Sequence, residues 1–333
     1  MTVLVTGATG FVGSAVARQL LAKNKRVIVL ARPKSIRANL NGLDVEIREG
    51  DLTDKTSLEK ALAGCEGLFH IAADYRLWTR DSGELYRNNV DGTRNLMQAA
   101  LASKVERVVY TSSVATLGVF SDGRVSDEET PVSLDDMIGH YKRSKYLAEK
   151  VVDELVQSAD LPAIIVNPST PVGPRDIKPT PTGRLIYDAL HEKIPAFVDT
   201  GLNIAHVDDV ANGHLLAYEK GVIGRRYILG GEDLSLQQIL TKVANYCGHK
   251  PPTIRLPRQL VVPVAVISQA WAYLTNGPEP RATLDGLRMS KKKMFFSSAR
   301  AYDELGYTSR PAEEAIQEAI DWFKANQAVM LRR

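Results

Sequence analysis

Three residues of this 333-residue chain carry the pattern of proton and hydride chemistry: Ser113, Tyr141 and Lys145. Tyr141 and Lys145 are four positions apart, which puts them on one face of a helix. A lysine ammonium beside a phenol favours the phenolate, so the pair predicts a tyrosine whose pKa is drawn down toward the working range. Such a tyrosine gives a proton to a carbonyl oxygen, or takes one from a hydroxyl, while hydride moves at the adjacent carbon. Ser113 would hydrogen-bond the same oxygen and hold it in place. Taken singly these signals are weak, because Y-x-x-x-K arises by chance in many helices and serines end many strands. Their order is specific: a glycine-rich turn first, then a serine after a strand, then the Tyr/Lys pair.

The glycine-rich turn is Thr6-Gly7-Ala8-Thr9-Gly10-Phe11-Val12-Gly13, set between Val3-Leu4-Val5 and a helical pattern that opens near Phe11. A strand that stops at glycines and restarts as a helix can cradle a pyrophosphate, because backbone N–H groups approach the phosphates and the helix dipole favours their charge. Gly7, Thr9, Gly10, Phe11, Val12 and Gly13 are therefore candidate cofactor-binding residues. An acidic residue after the second strand would bond a ribose 2′-hydroxyl and favour NAD. This chain has Ala31-Arg32-Pro33-Lys34-Ser35 there. A 2′-phosphate would meet the guanidinium of Arg32, helped by Lys34 or Ser35, so NADP(H) is favoured and NAD(H) is the alternative. Simple solvation of these charges is the competing reading.

Positioning such residues requires strands that end where they begin. Val27–Leu30, Val45–Ile47, Gly67–Ile71, Val108–Tyr110 and Ile164–Val166 read as further strands. Helical patterns cover Ser57–Leu62, Glu84–Ala102 and Tyr141–Val156. Apolar strands alternating with helices predict an α/β fold, a doubly wound parallel sheet whose ligands bind at the carboxyl ends of the strands. Asp51-Leu52, Ala72-Ala73-Asp74-Tyr75, Ser113 and Asn167-Pro168-Ser169-Thr170 all follow strands in this way. From residue 171 prolines gather, which predicts a smaller, discontinuous C-terminal substrate lobe. The expected division is 1–170 plus about 202–230 for the cofactor domain, returning to the sheet at Ile204–Val210 and Tyr227–Leu229. Residues 171–201 and 231–333 would form the substrate lobe.

A formal net charge of +3 and the lack of a basic stripe interleaved with aromatics argue against nucleic acid as a partner. Two cysteines, Cys65 and Cys247, make no disulfide framework, and the start of the chain lacks secretory features, so a cytoplasmic protein is expected. Leu260–Leu274 is too short and interrupted to span a bilayer; a core-packed helix is expected, with an interfacial helix and peripheral membrane contact as the alternative. Lys291-Lys292-Lys293 reads as a solvated turn, with approach to an anionic lipid surface as the alternative. The six histidines show no metal-ligand spacing, so no metal is expected.

The chain resembles the extended short-chain dehydrogenase/reductase superfamily, its NAD-dependent epimerase/dehydratase branch. The likeness rests on T-G-A-T-G-F-V-G (6–13), G-D-L-T-D (50–54), N-V-D-G-T (89–93), Y-T-S-S (110–113), Y-K-R-S-K (141–145), N-P-S-T-P-V-G-P (167–174) and H-V-D-D-V-A (206–211). A-D-Y-R-L-W (73–78), S-L-D-D-M-I-G-H-Y-K-R-S-K (133–145), the stretch 167–184 and M-F-F-S-S-A-R (294–300) are similar to the hopanoid-associated sugar epimerase subgroup, itself similar to dihydroflavonol-4-reductase-type enzymes. The resemblance implies a Rossmann-type fold, Ser113, Tyr141 and Lys145 as catalytic residues, and a pyrophosphate loop at Gly7–Gly13. It further implies adenine contacts at Asp51 and Leu52, a ribose floor at Ala72 and Ala73, and a nicotinamide rim at Pro168 and Thr170. Asn89 is either a cofactor contact or a residue holding a loop. Candidate substrate contacts are Asp74, Tyr75, Trp78, Asn167 and Arg175; Arg175, Lys178 and Arg184 could hold an anionic substrate such as a nucleotide-sugar phosphate, with surface solvation of each as the competing reading. The family often has Arg where this chain has Asn167.

The superfamily commonly dimerises through the helices at Glu84–Ala102 and Tyr141–Val156, so a homodimer is expected from the resemblance. The expected function is hydride transfer to or from a carbonyl/alcohol carbon of a small molecule, most simply an NADPH-linked reduction. A sugar epimerase in hopanoid side-chain biosynthesis and an NADP-sensing binding protein are the alternatives.

Overall fold

Alternate residues of the central strands face opposite ways, and both faces are apolar. Val3, Val5, Val27, Val29, Phe69, Val109, Ile164 and Val166 bury on one side of the sheet. Leu4, Ile28, Leu68, Val108, Tyr110 and Ile165 bury on the other. Strands of that kind need helices on both faces, which is the physical origin of the alternation of elements. The computed structural model of the protein describes residues 1–275, 280 and 282–326.

The first half runs β1 (Thr2–Thr6), α1 (Phe11–Ala22), β2 (Arg26–Ala31), β3 (Glu46–Glu49), α2 (Lys55–Leu62), β4 (Gly67–His70), α3 (Ser82–Tyr86), α4 (Gly92–Ala102), β5 (Arg107–Thr111), α5 (Gly139–Ala159) and β6 (Ala163–Pro168). The second half adds β7 (Thr170–Val172), α6 (Pro181–Leu190), β8 (Ala196–Phe197), β9 (Gly201–His206), α7 (Val207–Lys220), β10 (Arg226–Leu229), β11 (Glu232–Ser235), α8 (Leu236–Cys247), β12 (Ile254–Arg255), α9 (Arg258–Thr275), α10 (Leu284–Met289), β13 (Lys293–Met294) and α11 (Ala312–Ala325). Seven parallel strands form the main sheet in the order β10-β6-β5-β4-β1-β2-β3. The strand order reverses between β1 and β4, the crevice where doubly wound sheets bind ligands. This is a Rossmann-type fold.

A second sheet holds β11, β9 and β13, with β7 paired to β9. It packs with α6, α8 and α11 around Ile186, Leu234, Ile239, Ile316 and Phe323, a core separate from that of the main sheet. Tyr227–Leu229 joins the main sheet as expected, but Ile204–Val210 does not. Residues 201–206 are β9 of the smaller sheet, and 207–210 already belong to α7. The reason is the burial pattern: Val207, Val210, Ala211 and Leu215 form the buried stripe of a helix that covers the main sheet beside α1. The expected helix over Glu84–Ala102 is α3 and α4 joined by a π-helical turn at Arg87–Asp91.

Two further expectations change. α9 is no core helix: Leu260, Val264, Ile267, Trp271 and Leu274 are exposed, and Ala265 and Ala272 alone of its residues are buried. Lys293 is not a turn residue but opens β13, beside Gly201 of β9.

Phe69 sits at the centre of the main sheet, fully buried and stacked on Tyr218 at 5.2 Å between ring centroids. Phe69→Ala is expected to cost about 3–5 kcal/mol, read as a lower urea midpoint in equilibrium unfolding.

Candidate active site

Gly7 adopts φ +76°, a left-handed backbone that lets the chain turn out of β1, and a Cβ there would lie 2.7 Å from the Ala72 nitrogen. Gly10 N–H donates to the Gly7 carbonyl at 2.9 Å, closing the turn. Gly13 then packs the first turn of α1 onto the loop, so tightly that a Cβ would lie 2.2 Å from the Gly7 oxygen. No side chain caps α1 and its first turn has no acidic residue, so the N–H groups at its start remain available for an anion. These features suit a pyrophosphate. Asn39, which the sequence did not single out, braces the loop from outside. Its Nδ2 lies 3.2 Å from the Gly10 carbonyl and 3.2 Å from that of Arg175.

Arg32 and Lys34 are exposed just beyond β2, and their side chains make no ion pair among the described residues. Asp51, after β3, spends Oδ1 on the backbone N–H and hydroxyl of Thr53 at 2.9 and 2.7 Å. The Leu52 carbonyl accepts from Asn95 at 3.1 Å. Ala72 and Ala73 follow β4, half-buried, with the Ala72 N–H donating to Thr6 Oγ1 at 3.1 Å. Pro168 ends β6 and Thr170 opens β7, where the chain leaves the main sheet for the smaller one. Thr9 and Val12 are half-buried and Phe11 is buried against the core.

Ser113 follows β5, and its hydroxyl hydrogen-bonds the Tyr141 phenol at the start of α5. The Ser113 backbone is fixed from below. Its carbonyl accepts from Thr116 Oγ1 at 2.8 Å and Asn167 Nδ2 at 3.1 Å, and both donors also lie on the buried carboxylate of Glu149. Asn167 is fully buried, and its amide nitrogen supports the serine.

Lys145 is buried. Its Nζ donates to the Thr111 carbonyl at 2.8 Å and to the Tyr110 hydroxyl at 3.2 Å. Burial pulls its pKa down to about 8, against the opposing pull of Glu149. The expected depression of the Tyr141 pKa is not realised. Burial raises it, with Asp74 adding to the rise and the Ser113 hydrogen bond opposing. The cause is geometric: the ammonium is engaged beneath Tyr110 and does not dominate the phenol's surroundings.

Tyr110 also connects Lys145 to the glycine loop. Thr6 Oγ1 accepts from the N–H groups of Ile71 and Ala72, which leaves its own hydrogen for Nδ1 of His70 at 2.8 Å. His70 Nε2–H then donates to Thr93 Oγ1 at 3.1 Å, and the Thr93 hydroxyl bonds Tyr110. Burial, reinforced by the charge of Lys145, holds the His70 pKa at about 3, so the imidazole stays neutral. His70 and Tyr110 are buried polar residues on apolar strands, a signal the sequence carried but that periodicity alone does not interpret.

Asp74 lies in a bidentate pair with Arg76, which also reaches Glu84, so its carboxylate is already engaged. Asn89 takes its loop-holding reading: Oδ1 accepts from Asp74 N–H at 2.7 Å, and Nδ2 reaches the Asp74 carbonyl and Ser144 Oγ at 2.9 Å each. Tyr75 leans toward the proline-rich segment, its hydroxyl 3.3 Å from the Lys178 carbonyl. Trp78 packs edge-on against Tyr273 of α9. Arg175 is ion-paired with Asp208 and lies beside Asn39 and the glycine loop, not free to meet substrate. Lys178 and Arg184 are exposed. His206, Asp208 and Glu318 converge within 4.8 Å, a grouping their spacing did not suggest, and Arg175 and Arg310 lie on it.

The fold, the glycine loop and the Ser/Tyr/Lys grouping define a nucleotide-dependent enzyme of the short-chain dehydrogenase/reductase type. The chain belongs to the NAD dependent epimerase/dehydratase family, whose sequence profile matches residues 3–230. It is 43% identical over 325 residues to a putative dihydroflavonol 4-reductase of Synechocystis sp., covering 96% of this chain and 94% of that one. It is 36% identical over 326 residues to sterol demethylase protein B of Methylococcus capsulatus, covering 97% and 98%. The crystal structure of gox2253 superposes with a TM-score of 0.88 at 54% identity, covering 98% of each chain.

Gly13→Ala forces a methyl group against the Gly7 carbonyl. We expect at least tenfold weaker dinucleotide binding by fluorescence titration, with a loss of about 1–3 kcal/mol in stability.

Proposed function

We propose that this protein is an NADP(H)-dependent reductase of a small carbonyl compound. The observation that carries the reading is Tyr141, a phenol whose pKa is raised rather than lowered and which hydrogen-bonds Ser113. A phenol that stays protonated at neutral pH is suited to give its proton to a carbonyl oxygen, which is the reductive direction. Bound NADPH would supply the hydride. Gly7, Gly10 and Gly13 would hold its pyrophosphate, and Arg32 with Lys34 its 2′-phosphate. Asp51 and Leu52 would border the adenine, and Ala72, Ala73, Pro168 and Thr170 the nicotinamide side.

Ser113 Oγ would hold the substrate oxygen while Tyr141 Oη protonates it. Lys145, one helical turn on, would favour the phenolate left behind and later its reprotonation. The name of the Synechocystis relative supports a reductase, and the family name keeps a recycling epimerase as the competing reading. We further propose that the protein is cytoplasmic and, from the resemblance, that it dimerises through the α3–α4 stretch and α5.

Tyr141→Phe should lose about 10²–10⁴-fold in turnover and still bind cofactor; unchanged turnover sinks the assignment. In the reverse direction the phenol must first ionise. Oxidation should therefore rise about tenfold per pH unit from 7 upward, while reduction falls only above about pH 8, where Lys145 loses its proton. The cofactor test is a titration with NADPH and NADH. Wild type should prefer NADPH, and Arg32→Ala should cut that preference about tenfold or more. NAD co-purifying in tight complex would instead favour the epimerase.

A further inference from the structure

The helix α9 is inverted. Its protein-facing side carries Ala265, Ser268, Gln269 and Ala272, and the Gln269 side chain accepts the Leu284 N–H at 3.0 Å. Its outer side carries Leu260, Val264, Ile267, Trp271 and Leu274, spaced 4, 3, 4 and 3 residues apart, one continuous stripe. Exposure along that stripe reaches 65% at Leu260, 66% at Ile267, 67% at Trp271 and 84% at Leu274. No charged residue interrupts positions 259–275. A helix that turns its apolar side to water requires a cover.

The surroundings indicate which cover. The stretch 249–294 contains eight lysines and arginines and two carboxylates. At the start of α9 a groove of about 880 Å³ runs between Val262, Leu284 and Leu287, edged by Arg255, which pairs with Asp199, by Arg288, which pairs with Asp285, and by Lys291. Trp271 and Tyr273 stand near the other end. Apolar stripe, aromatic end and basic rim together match the boundary layer of an anionic bilayer, where rings and hydrocarbon enter the acyl edge and cations meet headgroup phosphates. A second copy of the chain seated on the same face would set one basic rim against another. None of the described helices is long and apolar enough to cross a membrane, so α9 would lie in the plane.

We propose that α9 and its basic rim form a peripheral docking surface for anionic lipid bilayers. The last turns of α9 hold the segment after β4: Arg80 donates to the Ala272 carbonyl at 2.9 Å and Trp78 packs on Tyr273. Docking would therefore bring the stretch that carries Asp74 and Tyr75 close to the lipid surface. The docking itself is independent of the catalytic reading.

The test is co-sedimentation of the full chain with vesicles of phosphatidylglycerol and phosphatidylcholine, and with phosphatidylcholine alone. The protein should sediment with the anionic vesicles and bind the neutral ones at least about tenfold more weakly. Ile267→Glu with Trp271→Glu alters two exposed positions, so that double variant should lose vesicle binding with an unchanged melting temperature. Arg288→Glu with Lys291→Glu should weaken binding to anionic vesicles about tenfold or more. Failure of the wild type to sediment with anionic vesicles overturns the proposal. So does a drop in oligomeric state of the Ile267/Trp271 variant in lipid-free sedimentation, which would assign the face to a second copy.

Discussion

A parallel sheet covered on both faces leaves its polar residues one exit, the carboxyl edge. The central strands β1, β2, β4, β5 and β6 bury apolar side chains on both faces of the main sheet, so a hydrogen-bonding or charged group placed there is costly unless it is partnered. The candidate site obeys this constraint. The glycine loop, Asp51, Ala72, Ser113 and Pro168 stand at or just beyond the ends of β1, β3, β4, β5 and β6. The buried polar groups that remain beneath them are linked to one another rather than scattered.

Those links are the second layer of the site. Thr6, His70, Thr93, Tyr110 and Lys145 form one hydrogen-bonded series from the glycine loop to the amine. Thr116, Asn167 and Glu149 form another beneath Ser113, with Arg226 on the far side of the Glu149 carboxylate. In a low-dielectric interior each member is worth keeping because its removal strands a partner. Residues that touch no ligand in this arrangement still decide where Ser113 and Lys145 can be.

The two cores divide the labour. The main sheet holds the loop and the Ser/Tyr/Lys group, while β7, β9, β11 and β13 with α6, α8 and α11 hold the proline-rich segment across from it. Thr170 and Arg175 lie where the chain passes between the two. Arg175 turns to Asp208 and the glycine-loop side instead of toward a substrate, which shows how a cation predicted for one role is taken by the nearest carboxylate.

Much of this was legible in the sequence. Two-sided apolar strands, glycines at 7, 10 and 13, and the four-residue spacing of Tyr141 and Lys145 are local patterns, and local patterns survive folding because backbone geometry enforces them. What only the tertiary structure decided depends on neighbours distant along the chain. β9 joins the smaller sheet because β7 and β11 pair with it. Asn167 is a buried support because Ser113 and Glu149 close over it. Tyr141 is raised rather than lowered because burial outweighs a lysine held by Tyr110 and Thr111. The stripe of α9 faces outward because the small and polar side of that helix fits the protein, a choice no hydropathy pattern specifies: periodicity defines two faces, and packing selects which one is buried.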